Sequence, residues 1–277
     1  MAAHIYREPA REIPIVGAYD VLVCGAGTSG FPAAAAAARL GCKTALIERY
    51  GFLGGVPAFS IMPAWHRMQH IKHGALIEFG KRVAAQGPGP DPTENRHMEP
   101  ESVKQVALEM VEEAGVELHL HSLIVGVIQQ GSTPLGVITE SKSGRRAYLA
   151  QRIVDATGDG DLCVMAGANY AQGRQEDGVT QGLTVRFRIG FIDFERYFDW
   201  IADHRQYYHN ISDENLARIR ARALAGKDFF LNADLNELYE QLDPENKLPR
   251  GSYFNCSSIR PGELSLNATR ANYLDGT

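Results

Sequence analysis

The stretch that most restricts the fold of this chain is "GAGTSG", with glycines at 25, 27 and 30 in the pattern G-x-G-x-x-G. Alone the pattern is a weak signal, but its setting strengthens it. Before it, "YDVLVC" reads as a short buried strand, about Asp20 to Cys24. After it, "SGFPAAAAAARLG" reads as a helix closed by Gly41, with Pro32 in the first turn, where a missing N–H costs little. "KTALIER" is a second buried strand ending at Glu48. Strand, glycine turn, helix and strand make a βαβ unit.

Each glycine has a separate task. Gly25 permits the tight turn, Gly27 lets a pyrophosphate approach the backbone, and Gly30 lets helix and strand pack closely. The turn residues Ala26, Thr28 and Ser29 lead into the helix N-terminus, whose N–H groups and partial positive charge suit phosphate. Glu48 stands 23 positions after Gly25, near the spacing of an acidic residue that accepts from ribose hydroxyls. Its charge repels a 2′-phosphate, which argues against NADP. The competing reading is a glycine turn in an unliganded α/β fold. Ala33 to Ala38 only bring the helix close to the sheet.

Composition narrows the classes. The net charge of −5 over 277 residues leaves no basic footprint for nucleic acid or an anionic membrane. The longest apolar run, Phe31 to Ala38, is far below the ~20 residues of a spanning helix. The first twenty residues mix charge and proline unlike a signal peptide, so a cytoplasmic enzyme acting on a small molecule is expected. Cys24, Cys42, Cys163 and Cys256 form no CxxC pair, and four buried thiols are expected.

Further along, helices are expected over about Ala75 to Ala85 and through "ESVKQVALEMVEEAG", with apolar positions 103, 106, 107, 110 and 111. "VELHLHSLIVGVIQQ", "LGVITESK" and "RRAYLAQRIVDATG" read as strands. "LTVRFRIG" alternates like another strand. Helices follow at about Phe194 to His204 and Asp213 to Ala225, with Ser212 as N-cap. Beyond Leu242 only short strands near Tyr253 and Leu264 are expected.

"DATGDGDL", from Asp155, closes the strand-rich segment. It is a metal loop, a plain turn or a wall of the nucleotide site. An EF-hand count from Asp155 places Ala166 at the bidentate position, where it cannot ligate. Gly158 and Gly160 allow close backbone approach, and Asp159 and Asp161 are N-cap types for a helix from about Asp161.

"ERYGFLGG" from Glu48 resembles the acidic residue and glycine pair of FAD-dependent oxidoreductases with a glutathione-reductase-type Rossmann fold. "DATGDGD", "GRQEDG" from Gly173, "LTVRFRIG" and "NATR" from Asn267 resemble more narrowly the soluble bacterial group called FAD-dependent oxidoreductases. The resemblance covers nearly the whole chain. It implies an α/β fold: a Rossmann-type FAD-binding domain with a β-meander and an inserted, incomplete α+β substrate domain. It implies that Arg49, Gly54, Gly55, Val125, Thr157, Gly158 and Asp159 join Gly25–Gly30 and Glu48 around FAD. The expected domains are 1–60 and 101–172 for FAD, 61–100 for an active-site loop and connector, and 173–277 for substrate. Members generally run longer, with a C-terminal segment that returns to the flavin. None is visible before Thr277, so an incomplete chain is expected.

The flavin does the redox work in such enzymes, so the remaining question is which residues meet the substrate. His66, Arg67 and His70, after Gly55, are the catalytic candidates. With His73, the histidines share a helical spacing that also fits a metal site or a polar loop lining; no metal is expected. Arg186 and Arg188 project from one strand face as a possible carboxylate clamp. His119 and His121 read as surface residues of one strand face. Two rival functions stay open: an NAD-utilising, thiazole-synthase-like enzyme and a non-catalytic nucleotide-binding module.

Overall fold

The computed structural model describes residues 5–6, 8–61, 73–86, 98–208, 211–242, 245, 254–258 and 260–267. In chain order the elements begin with β1 (Ile15–Cys24), α1 (Gly30–Arg39), β2 (Thr44–Ile47), α2 (Val56–Phe59), α3 (Ala75–Gln86), α4 (Pro100–Glu113), β3 (Glu117–His119) and β4 (Leu123–Gln130). They continue with β5 (Thr133–Ser141), β6 (Gly144–Asp155), α5 (Asp161–Met165), β7 (Arg186–Ile189), α6 (Phe194–Asp203), α7 (Asp213–Leu224), β8 (Phe229–Ala233), α8 (Asn236–Leu242), β9 (Phe254–Ser258) and β10 (Leu264–Asn267). The chain divides into two compact units. One comprises Met1–Phe52 and Val111–Asn169, the other Leu53–Met110 and Tyr170–Thr277.

The first unit is built on a six-stranded sheet in the order β3-β2-β1-β6-β5-β4. β3, β2, β1 and β6 run parallel, while β4, β5 and β6 form an antiparallel meander. β6 joins the two halves because it is long: its first half pairs with β5, and it stays with β1 as far as Asp155. Leu22, Cys24, Ala45, Ile47, Val137 and Tyr148 form its core. The inner strands read as unbroken apolar runs because both faces are covered. Phe31, Ala34 and Ala35 of α1 are fully buried, and their small neighbours hold that helix near the sheet.

In the second unit, β7, β10, β9 and β8 form an antiparallel sheet. Phe194, Phe198 and Ile201 recur at helical spacing on α6 and bury with Leu216 of α7 and Phe229 of β8. The ring centroids of Phe194 and Phe198 each lie 5.4 Å from that of Phe229 in edge-on geometry. Side chains cap both helices: the Arg196 N–H donates to Asp193 and the Asn215 N–H to Ser212, the expected cap, each at 3.2 Å.

The helices over 75–85, 101–114, 194–204 and 213–225 and the short strands near 253 and 264 fall where expected, within a residue or two. Three expectations are corrected, and two elements come without advance signal. β1 begins at Ile15 rather than Asp20, because Ile15 to Tyr19 pair with β6, a long-range contact without local pattern. β8 and α8 had no advance signal. His119 and His121 do not share a strand face: β3 ends at His119, and His121 sits in a turn with φ 51°. His119 is half buried, its ring 4.7 Å from Tyr148. Burial lowers its pKa, against the opposing pull of Glu117. The cysteines are not all buried, since Cys42 is partly buried and Cys163 exposed.

Phe198 is the hub of the second unit's core. Phe198→Ala should cost about 3–5 kcal/mol. Thermal unfolding followed by near-ultraviolet circular dichroism will show it, and an unchanged midpoint would refute this core assignment.

Candidate functional site

Three sequence motifs meet at the carboxyl ends of adjacent parallel strands. Cys24, the last residue of β1, pairs in register with Ile47 of β2 and with Asp155 of β6. The Gly25 N–H donates to the Ile47 carbonyl and the Ala156 N–H to the Cys24 carbonyl, each at 2.8 Å. "GAGTSG", Glu48 and "DATGDGDL" therefore leave the sheet side by side. The carboxyl edge of a parallel sheet is where such folds hold ligands.

The glycine turn shows why two of its positions exclude side chains. Gly25 has φ 96°, and a Cβ there would overlap the Ala156 carbonyl oxygen. A Cβ on Gly30 would overlap the Gly25 carbonyl oxygen. The N–H groups of Gly30 and Phe31 fold back to the Gly27 carbonyl at 3.1 and 3.2 Å. Those of Gly27, Thr28 and Ser29 find no acceptor among the described residues, and the Ser29 side chain does not cap α1. Three unsatisfied donors at the start of a ten-residue helix form a place for an anion.

Glu48 is buried, with 7% of its surface exposed. Its Oε2 accepts from the Ala26 N–H at 2.7 Å and its Oε1 from the Tyr50 N–H at 2.9 Å. Its own backbone is clamped on both sides: its N–H donates to the His119 carbonyl and its carbonyl accepts from the Ser122 N–H, both at 2.9 Å. A carboxylate offers about four lone-pair sites. Two are used here, so acceptor capacity for two sugar hydroxyls remains on a carboxylate held by two backbone donors.

The Asp155 loop is braced from within. Asp155 Oδ1 accepts from the Thr157 N–H at 3.0 Å and the Thr157 hydroxyl at 2.7 Å, and Oδ2 accepts from the Cys163 N–H at 2.8 Å. Thr157 Oγ1 in turn accepts from the Asp161 N–H at 2.9 Å. The cap of α5 is thus the Thr157 hydroxyl, with Gly160 at the N-cap position in left-handed backbone, and not Asp159 or Asp161. Burial pushes the Asp155 pKa up, but the Thr157 and Cys163 hydrogen bonds outweigh it, and the net direction is down. Beside it, burial and the Asp155 charge push the Cys24 thiol up to about 12, so that cysteine stays neutral.

The Arg49 side chain is exposed and lies over the Tyr50 ring, 4.8 Å from its centroid. Val125 is the extra residue of a β-bulge on β4, since Ile124 pairs with Thr139 and Gly126 with Ile138. Gly54 and Gly55 belong to the second unit, where Gly54 (φ 107°) has Val103 against it and Gly55 precedes α2. His66, Arg67 and His70 lie outside the described residues. His73 is exposed. Among the described residues no group of three or more His, Cys, Asp or Glu side chains is placed to hold a metal, and no helix is long and apolar enough to cross a membrane.

Glu99 is a residue the sequence reading missed. It is 6% exposed and its Oε2 accepts from the Glu101 and Ser102 N–H groups at 2.6 and 3.0 Å, capping α4. An acid immediately before Pro100 was the available signal, because proline favours the first helical position. Its Oε1 lies 3.0 Å from an Arg260 nitrogen and 3.6 Å from an Arg188 nitrogen.

Residues 20–276 match the family model described as "FAD dependent oxidoreductase". The chain belongs to that family, and FAD is the cofactor it implies. Over 77 residues the chain is 40% identical to dihydrolipoyl dehydrogenase of Trypanosoma brucei brucei, covering 25% of this chain and 16% of that one. Over 191 residues it is 30% identical to the tRNA uridine 5-carboxymethylaminomethyl modification enzyme MnmG of Geobacter sulfurreducens, covering 62% and 30%. Its fold resembles a geranylgeranyl bacteriochlorophyll reductase-like protein of Thermoplasma acidophilum, with a TM-score of 0.53 at 17% identity over 91% of this chain and 56% of that one. It also resembles a flavoprotein/dehydrogenase of Cytophaga hutchinsonii, with a TM-score of 0.52 at 16% identity over 90% and 55%. The chain spans less than a third of these curated relatives and a little over half of these structures.

Asp155 gives a pH signature. A depressed carboxylate pKa contributes stability that is present above the usual carboxylate range and is lost as pH falls through the folded value. Asp155→Asn leaves one acceptor oxygen where two now serve three donors and should cost about 1–2 kcal/mol at neutral pH, discounted for partial exposure. The gap to wild type should close in acid. Denaturation curves across an acid series check this, and a gap independent of pH would contradict it.

Proposed function

We propose that this protein binds FAD along the strand ends of its first unit and moves hydride or electrons between a small organic substrate and the flavin. The carrying observation is the register of Cys24 with both Ile47 and Asp155. That register sets the unsatisfied N–H groups of the glycine turn, the fixed carboxylate of Glu48 and the braced Asp155 loop along one edge.

Each part has a task toward the dinucleotide. Gly27, Thr28 and Ser29 would donate to the pyrophosphate, with the α1 dipole behind them. Glu48 would accept from the ribose of the adenosine half. Gly158 and Asp159 would bring backbone toward the nucleotide, while the Thr157 hydroxyl, committed to Asp155 and Asp161, holds that loop in shape. Arg49, Gly54, Gly55 and Val125 extend the same reading. His66, Arg67 and His70, which follow the glycine pair in sequence, are assigned to the substrate side. Bound flavin would supply the electron-accepting ring, and the protein supplies position and electrostatics.

The purified protein should show the visible bands of oxidised flavin, or gain them on adding FAD. A colourless protein that takes up NAD and refuses FAD would overturn this reading. Glu48→Ala should weaken FAD binding roughly tenfold or more, and Glu48→Gln, which keeps one acceptor oxygen, should weaken it less. Flavin fluorescence titration measures both, and unchanged affinity in Glu48→Ala would remove Glu48 from the site.

A further inference from the structure

The sheet of the second unit has two unlike faces. Phe229, Leu231, Cys256, Leu264 and Leu266 bury with α6 and α7. On the opposite face, Arg188, Ser265 and Ser257 stand in one row across β7, β10 and β9, since Ser265 pairs with both Arg188 and Ser257. The polar face of an antiparallel sheet usually meets water. Here Ser257 is 1% and Ser265 3% exposed, and the Arg188 side chain is 27% exposed. The Ser265 hydroxyl donates to the Ile61 carbonyl at 3.2 Å, and Ile61 has the strained φ of 52°.

Ser257 Oγ has no hydrogen-bond partner among the described residues. It lines a recess of about 10 Å³ with Arg188, Arg260, Ser265 and Glu263, which is room for about one oxygen the size of a water. Arg188 and Arg260 both turn toward a single oxygen of Glu99, whose other oxygen is taken by the α4 cap. Two guanidinium groups carry ten N–H donors between them, far more than one carboxylate oxygen can accept. Glu263 keeps the rim from being purely cationic and limits how much negative charge the site will take.

We propose that this recess is a subsite for the carboxylate of a small organic acid. One carboxylate oxygen seats against Ser257 Oγ, and the other meets the guanidinium groups of Arg188 and Arg260 at the mouth. Planar bidentate pairing suits arginine and a carboxylate. Calling the acid a substrate rests on the flavin reading above, whereas the subsite itself does not.

The test is calorimetric titration of the full chain with sodium acetate, succinate and benzoate. Each is compared with its amide, and sodium sulfate serves as the inorganic anion. At least one carboxylate should bind while its amide does not, and more tightly than sulfate. Ser257→Ala should weaken that binding about tenfold, because it removes a hydrogen bond to a charged group, without lowering the melting temperature. Arg188→Lys should weaken it at least as much. If Arg188→Lys fails to fold because Glu99 is left poorly paired, Ser257→Ala decides alone. The proposal is overturned if no carboxylate outbinds its amide, if sulfate binds equally well, or if Ser257→Ala binds as wild type does. The flavin spectrum of the same sample keeps the two readings apart. Carboxylate binding in a protein that refuses FAD sinks the redox reading alone, and FAD uptake without carboxylate discrimination sinks the subsite alone.

Discussion

The short hydrogen bond from the Ala26 N–H to the Glu48 carboxylate ties the glycine turn of one strand to the end of the next. Much of the first unit's site depends on it. The turn is crowded: side chains are excluded at Gly25 and Gly30 by backbone oxygens, so its path has little freedom. Fixing Ala26 holds the path of the next three residues, whose N–H groups find no acceptor among the described residues. Burying Glu48 as a charged group is costly unless it is hydrogen-bonded. The Ala26 and Tyr50 N–H groups meet that requirement, and they hold the carboxylate in place before any ligand arrives. Preorganisation of this kind lowers the ordering cost of binding.

The parts of this architecture that could be read from sequence are those governed by local rules. The apolar runs at 21–24 and 44–47, the helical period of α4 and the cap at Ser212 all follow from side-chain chemistry within a few residues. Glu48 was legible because the βαβ unit fixes the distance from turn to second strand. The first half of β1 was not, since Ile15 to Tyr19 become strand only through pairing with β6 more than a hundred residues later. β8 is similar: "FFLNA" is too short to show a period, and β9 makes it a strand. In the Asp155 loop the acid types suggested a cap at Asp159 or Asp161. The structure instead spends the Thr157 hydroxyl on that cap and Asp155 on Thr157, a relay that depends on where the backbone turns back.

The sequence reading treated Arg186 and Arg188 as a pair on one face, which the register supports. It could not show that this face is the covered one. β7 exposes Phe187 and Ile189 at 39% and 36%, while its arginines are partly buried, the reverse of the usual order for a sheet edge. Burial lowers the Arg186 pKa from its ordinary value. A hydrophobic residue of similar size would be stabilised by the same burial, so this polar face is not explained by stability alone.

Both units therefore show the same physical signature at different scales. In the first, backbone N–H groups at a helix start have no acceptor among the described residues. In the second, a serine hydroxyl in a recess lined by two arginines has no partner among the described residues. Folded proteins satisfy most of their buried polar groups, and an exception of either kind invites an acceptor from outside. The two sets differ in what they suit. A turn of backbone donors beside a helix dipole suits spread phosphate charge, and Glu48 next to it admits free sugar hydroxyls while repelling a further phosphate. A guanidinium pair over one narrow recess, with acids on two sides, suits a single planar anion. The two donor sets thus differ in geometry and local charge, in a chain whose net charge is −5.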